Sequence, residues 1–115
     1  MSEHTLWTNP SPTSAFSAGN VTLSDNISNY KFIGVRYKAV KSGEKNTIFY
    51  AKVDDWANME NIFRFSIFAI IGSVNYMRTV TYSSDTQIGF STGTKVGASG
   101  TSNDNIIPIE VIGLK

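Results

Sequence analysis

The chain has 115 residues, one histidine, no cysteine, and ten Lys/Arg against nine Asp/Glu, a formal net charge of +1. That length suits a single domain over 1–115, able to bury roughly two-thirds of the surface that its unfolded form exposes. Disulfides and cysteine-based zinc or thiol chemistry are excluded, and the even charge offers no footprint for nucleic acid or an acidic membrane.

Ser, Thr and Asn make up 35 residues, Ile and Val another 20, and 14 are aromatic, whereas leucine occurs three times. β-Branched and aromatic residues suit a pleated, half-buried surface, and the usual helix formers are scarce. Thr5-Leu6-Trp7-Thr8 predicts a short opening strand. Asn9-Pro10-Ser11-Pro12 then enforces extended or turn geometry, because each proline fixes φ and restricts the residue before it. Val21 to Leu23 predicts a second strand. From Tyr30 to Val40, Ile33, Val35, Tyr37 and Ala39 share one face, and a turn at 41–46 leads into Thr47 to Val53, giving a hairpin.

Asp54 to Glu60 breaks the alternation as a loop or one helical turn. Asn61 to Ile71 is apolar on both faces, which predicts a central strand covered twice, by the second sheet and by a loop or another subunit. Tyr76 to Tyr82 alternates Tyr76, Arg78, Val80 and Tyr82 against Met77, Thr79 and Thr81. Thr86 to Ser91 follows a turn, 92–105 reads as a long exposed loop, and Ile106 to Leu114 closes the chain. Pro108 implies an edge position or a bulge in that last strand. Seven or eight short antiparallel strands with regular turns predict an all-β, jelly-roll-like β-sandwich, with a small β-barrel as the alternative.

Catalytic chemistry finds little material. His4 lies at a terminus where chains fray, and a Ser/His arrangement would need it. Adjacent Asp54 and Asp55 point to opposite faces in extended backbone, unlike the facing carboxyls of a glycosidase. Gly93 to Gly100 does not fit a phosphate loop, and Ser102-Asn103-Asp104-Asn105 lacks calcium-loop spacing. No catalytic residue, metal site or cofactor is expected.

Two surfaces are candidates for binding. Trp56, with Asp54, Asp55 and Asn58, could stack on a sugar while the carboxylates and amide take its hydroxyls, or Trp56 could cap the end of the core. Arg64, Phe68, Arg78 and Tyr82 are candidates for an oligomer interface, the two arginines as subunit-facing ion pairs or as outward-facing residues.

The opening Leu6-Trp7-Thr8-Asn9-Pro10-Ser11-Pro12-Thr13-Ser14-Ala15-Phe16 and the ending Asn103-Asp104-Asn105-Ile106-Ile107-Pro108-Ile109-Glu110-Val111-Ile112-Gly113-Leu114-Lys115 resemble the two ends of a small β domain. That domain occurs in tail, fibre and minor structural proteins of phages and prophages from Gram-positive bacteria. Tyr30, Arg78-Thr79-Val80-Thr81-Tyr82 and Ile88-Gly89-Phe90 fall in matching order. The resemblance implies a non-enzymatic virion component, often trimeric, assembled in the bacterial cytoplasm; Met1-Ser2-Glu3-His4 has no basic n-region and no apolar run behind it, so no signal peptide is expected. The component's implied partners are further copies of itself and other virion proteins; the alternative, resting on Trp56, Asp54 and Asp55, is a carbohydrate-binding module for host cell-wall glycan. The resemblance carries over no ligand residues.

Overall fold

Alternating β-branched and small polar residues produce nine strands in the computed structural model, which describes residues 2–43, 46–52 and 64–115. They are β1 (Glu3–Thr8), β2 (Gly19–Thr22), β3 (Phe32–Val40), β4 (Asn46–Lys52), β5 (Arg64–Ile71), β6 (Val74–Ser84), β7 (Gln87–Phe90), β8 (Thr94–Lys95) and β9 (Asn105–Leu114). The one helical element among the described residues is a 3-10 turn at Ile27–Asn29. One sheet has the order β1-β9-β3-β4; the other has β2-β7-β6-β5, with β8 added to β6. All pairings are antiparallel, and the two sheets form a β-sandwich, not a closed barrel.

Period-two alternation sets the core. Ile33, Val35 and Tyr37 of β3 and Val111 of β9 face Ile67 of β5, Val80 of β6, and Ile88 and Phe90 of β7, and all are buried. Trp7, Phe16 and Phe90 close one side of this layer, with Phe16 edge-on to Phe90 at 5.4 Å and to Trp7 at 6.0 Å. Such edge-to-face pairs contribute about 0.5–1.5 kcal/mol beyond area burial. Tyr37 crosses the sandwich and donates its hydroxyl to the Phe68 carbonyl oxygen at 2.8 Å. Phe49 of β4 stacks on Phe65 of β5 at 4.9 Å.

Two expectations are corrected. The segment expected to be a central strand supplies β5, which among the described residues ends its sheet and pairs only with β6. On its second apolar face Phe68 is 51% exposed and Ile70 72% exposed among the described residues. β9 lies inside its sheet, between β1 and β3, and of the two alternatives read for Pro108 the bulge is the one present. The register slips between Arg36 and Tyr37, whose partners are Glu110 and Pro108. Past the end of β1, the Asn9 backbone N–H donates to the Ile109 carbonyl and its side-chain amide to the Pro108 carbonyl at 2.7 Å, which continues the ladder where proline offers no donor. The stretch 92–105, expected as one exposed loop, contains β8 and a backbone bond from Ser102 N–H to the Gly93 carbonyl.

Candidate functional site

The inward parity of β6 fixes what its other face carries. Arg78 and Val80 are buried between the sheets, so Met77, Thr79, Thr81 and Ser83 project from the outer face. In register beside Thr81 comes Gly89 of β7, and beside Gly89 comes Asn20 of β2. Glycine at this position leaves a dip in the sheet, since a β-carbon there would lie 2.8 Å from Asn20 Oδ1 and 3.4 Å from Ser83 Oγ. The result is an open depression of about 360 Å³ lined by Gly19, Asn20, Thr79, Thr81, Ser83, Gly89, Phe90 and Ser91.

Internal hydrogen bonds fix part of this lining. Ser83 Oγ donates to Asn20 Oδ1 at 3.1 Å, which orients the Asn20 amide. Ser91 Oγ accepts from the Thr79 backbone N–H at 2.7 Å and donates to the Thr92 carbonyl at 3.0 Å. The Asn20 amide nitrogen and the Thr79 and Thr81 hydroxyls have no hydrogen-bond partner among the described residues. None of the eight lining residues is a titratable acid or base. The depression can therefore hold a ligand by neutral hydrogen bonds and contact. Two residues further along, roughly 7 Å, Phe68 lies opposite Met77 on the same outer face.

The four interface candidates do not form one surface. Phe68 is exposed on the outer face, and Tyr82 points inward, packed against the core. Arg64 begins β5 opposite Thr81. Arg78 is the clear correction: it is neither subunit-facing nor outward-facing, being 0% exposed inside the sandwich. Its guanidinium donates to the carbonyls of Ile106 at 2.9 Å, Ser91 at 2.8 Å, Phe16 at 3.1 Å and Asn105 at 3.1 Å. The Phe16 ring lies 5.3 Å away. Desolvation lowers its pKa to about 10, so it remains charged at neutral pH. Trp56, Asp54, Asp55 and Asn58 lie outside the described residues.

Beside the β6–β7 turn, where the Ile27 N–H donates to the Asp85 carbonyl, Asp25 accepts from the Tyr30 hydroxyl at 2.8 Å, the Asn29 amide at 2.9 Å and the Asn26 backbone N–H at 2.7 Å. The Tyr30 hydroxyl is the main reason that the Asp25 pKa falls below 3.8. These bonds close a turn and leave Asp25 occupied by its own neighbours. No group of three or more metal-ligating side chains occurs among the described residues.

The hydroxyl-lined depression was not singled out in the sequence, although two signals for it were present. Thr79 and Thr81 alternate against an apolar face, and Gly89 interrupts a short apolar strand, a position that often marks close approach of another group. The chain matches no protein-family model and no curated protein sequence.

Proposed function

We propose that this chain is a non-enzymatic structural domain of a phage or prophage particle, acting as a homo-oligomer, with a trimer favoured, in assembly or host attachment. The observation that carries the reading is a pair of exposed apolar patches on the opposite outer faces of the sandwich, one on β4 and one on β5, each an end strand of its sheet among the described residues. Ile48 and Tyr50 of β4 on one outer face and Ile70 of β5 on the other are all more than a third exposed. Unpaired strands that carry large apolar side chains are liabilities in a monomer and natural seams between copies. The end motifs of the sequence add the particle context.

Light scattering at micromolar concentration tests the oligomer. A trimer gives about 38 kDa, three times the 12.6 kDa chain. Ile70→Asp, at a solvent-facing position, is expected to leave the fold intact and return the mass to one chain. A wild-type mass of one chain would overturn the oligomer. The particle reading is tested separately by mass spectrometry of particles from an induced lysogen, where absence of the chain would overturn it.

Recognition of host cell-wall carbohydrate is the second reading. The depression on the outer face of the β2-β7-β6-β5 sheet favours it, because uncharged hydroxyl and amide groups converge there beside an exposed phenylalanine.

A further inference from the structure

We infer that the depression over β2, β7 and β6 is a binding site for a neutral glycan segment, with Thr79, Thr81 and the Asn20 amide as its hydrogen-bonding groups and Phe68 as its stacking platform. The inference rests on the carbohydrate reading above and is independent of the particle reading. The chemistry of the lining selects the ligand class. Two hydroxyls that can donate or accept and one amide that can donate suit a partner presenting many hydroxyls of its own. No Lys, Arg, Asp or Glu lines the depression, so nothing there rewards a phosphate, a carboxylate or an ammonium group.

Shape and rigidity point the same way. A volume of about 360 Å³ lies at the small end of ordinary ligand sites, and the depression is open along the sheet, as a chain passing through it requires. Backbone pairing on both sides of β6 and β7 holds Thr79, Thr81 and Gly89 in place. The Ser83 bond orients the Asn20 amide before any ligand arrives. Little side-chain ordering is then left to oppose binding. The Phe68–Met77 pair lies roughly 7 Å along the strands from Thr79, about one sugar ring away, and Phe68 is exposed for stacking against an apolar sugar face. Met77 supports it from the paired position.

The test is an amide-resolved NMR titration of the full chain with two neutral trisaccharides, an N-acetylglucosamine trimer and a glucose trimer. The expected result is saturable shifts at Asn20, Thr79, Thr81, Gly89 and Ser91 with at least one of them. Thr79→Val and Thr81→Val keep the shape and strand preference of the side chain while removing its hydroxyl. Each is expected to weaken binding roughly threefold to tenfold, the worth of one neutral hydrogen bond. Phe68→Ala should weaken it by a similar factor, and Thr8→Val, on the other sheet, should leave it unchanged. Dispersed spectra of the free variants establish that they fold. Saturable shifts centred on Trp56 would overturn this site while leaving the carbohydrate reading standing. Absence of binding by both trimers at millimolar concentration, or affinities untouched by both Thr→Val changes, would overturn the site assignment.

Discussion

A guanidinium held wholly inside a small sandwich must find acceptors for its donors, and Arg78 finds them on the backbone. Its four carbonyl partners come from three separate stretches: the loop at Phe16, the exit of β7 at Ser91, and the start of β9 at Asn105 and Ile106. Ile106 has φ of +55°, a conformation that a β-branched residue adopts only when its surroundings impose it. Arg78 is part of those surroundings, since its Nε holds the Ile106 carbonyl. Arg78→Met removes the charge but leaves four carbonyls without these donors in the interior, and should cost about 3–5 kcal/mol in a urea unfolding experiment. Arg78→Lys should recover only part of that loss, because an ammonium has three donors and no planar fork. Equal urea midpoints for wild type and Arg78→Met would contradict this role. The strand alternation already grouped Arg78 with Val80, and the inward direction followed from that parity. The charge argued for the surface, and a carbonyl cage assembled from three distant stretches leaves no mark in the local sequence.

At the scale of elements, the 3-10 turn and the residues around it close one end of the sandwich. Tyr30 leaves that turn, lays its ring over Gly113 of β9, and donates to Asp25. Alanine at 113 would place its β-carbon 2.5 Å from the ring, so the residue type in β9 is set by a turn more than eighty positions earlier. The Asp25 pKa is lowered, first by the Tyr30 hydroxyl, so the folded state favours the carboxylate. That contribution is present above about pH 3.8 and is lost as pH falls through the lower folded value. The Tyr30 pKa is raised, first by burial and then by its bond to Asp25, so the contribution of the neutral phenol is present below about pH 10 and lost as pH rises through the folded value. A carboxyl-resolved NMR titration should place Asp25 below an unstructured aspartate. In Asp25→Asn the acid-side decline in urea midpoint should be shallower than in wild type; identical slopes would contradict the linkage. Elements were the most legible level of this chain, because turn residues and alternation are local: the hairpin of β3 and β4 and the inward set Ile33, Val35 and Tyr37 could be read directly. The place of a strand in its sheet is not local. β5 is apolar on both faces, as a central strand would be, yet among the described residues it lies at the end of its sheet with Phe68 and Ile70 exposed. The depression was hidden for the same reason: Asn20, Thr81 and Gly89 become neighbours only through pairing of β2, β7 and β6.

For the whole molecule, the decisive pairing joins the first strand to the last. β9 hydrogen-bonds β1 on one side and β3 on the other, and it brings Ile106 and Val111 into the core. It also supplies two of the four carbonyls that hold Arg78 and the glycine beneath Tyr30. Without residues 105–115, β1 would lose its only partner among the described strands, and the buried face of β3 would lose a neighbour along its full length. Stability of a few kcal/mol to about 15 kcal/mol cannot absorb the removal of a central strand. A chain ending at Asp104 should therefore show no cooperative urea transition and no dispersed amide spectrum, and a synthetic 105–115 peptide in excess should restore both. A cooperative transition in the truncated chain alone would show that β9 is dispensable to the core. Kinetics follow from the same topology. A pairing that spans almost the entire sequence must close a long loop before its contacts are gained, so refolding of the intact chain should take milliseconds to seconds. Stopped-flow tryptophan fluorescence of a Trp56→Phe variant, which leaves Trp7 as the single indole, reads this directly, because Trp7 packs beside Phe16 and Phe90 once β1 is seated on β9. Recovery of that signal in microseconds would mean that the Trp7 cluster forms before the terminal strands meet.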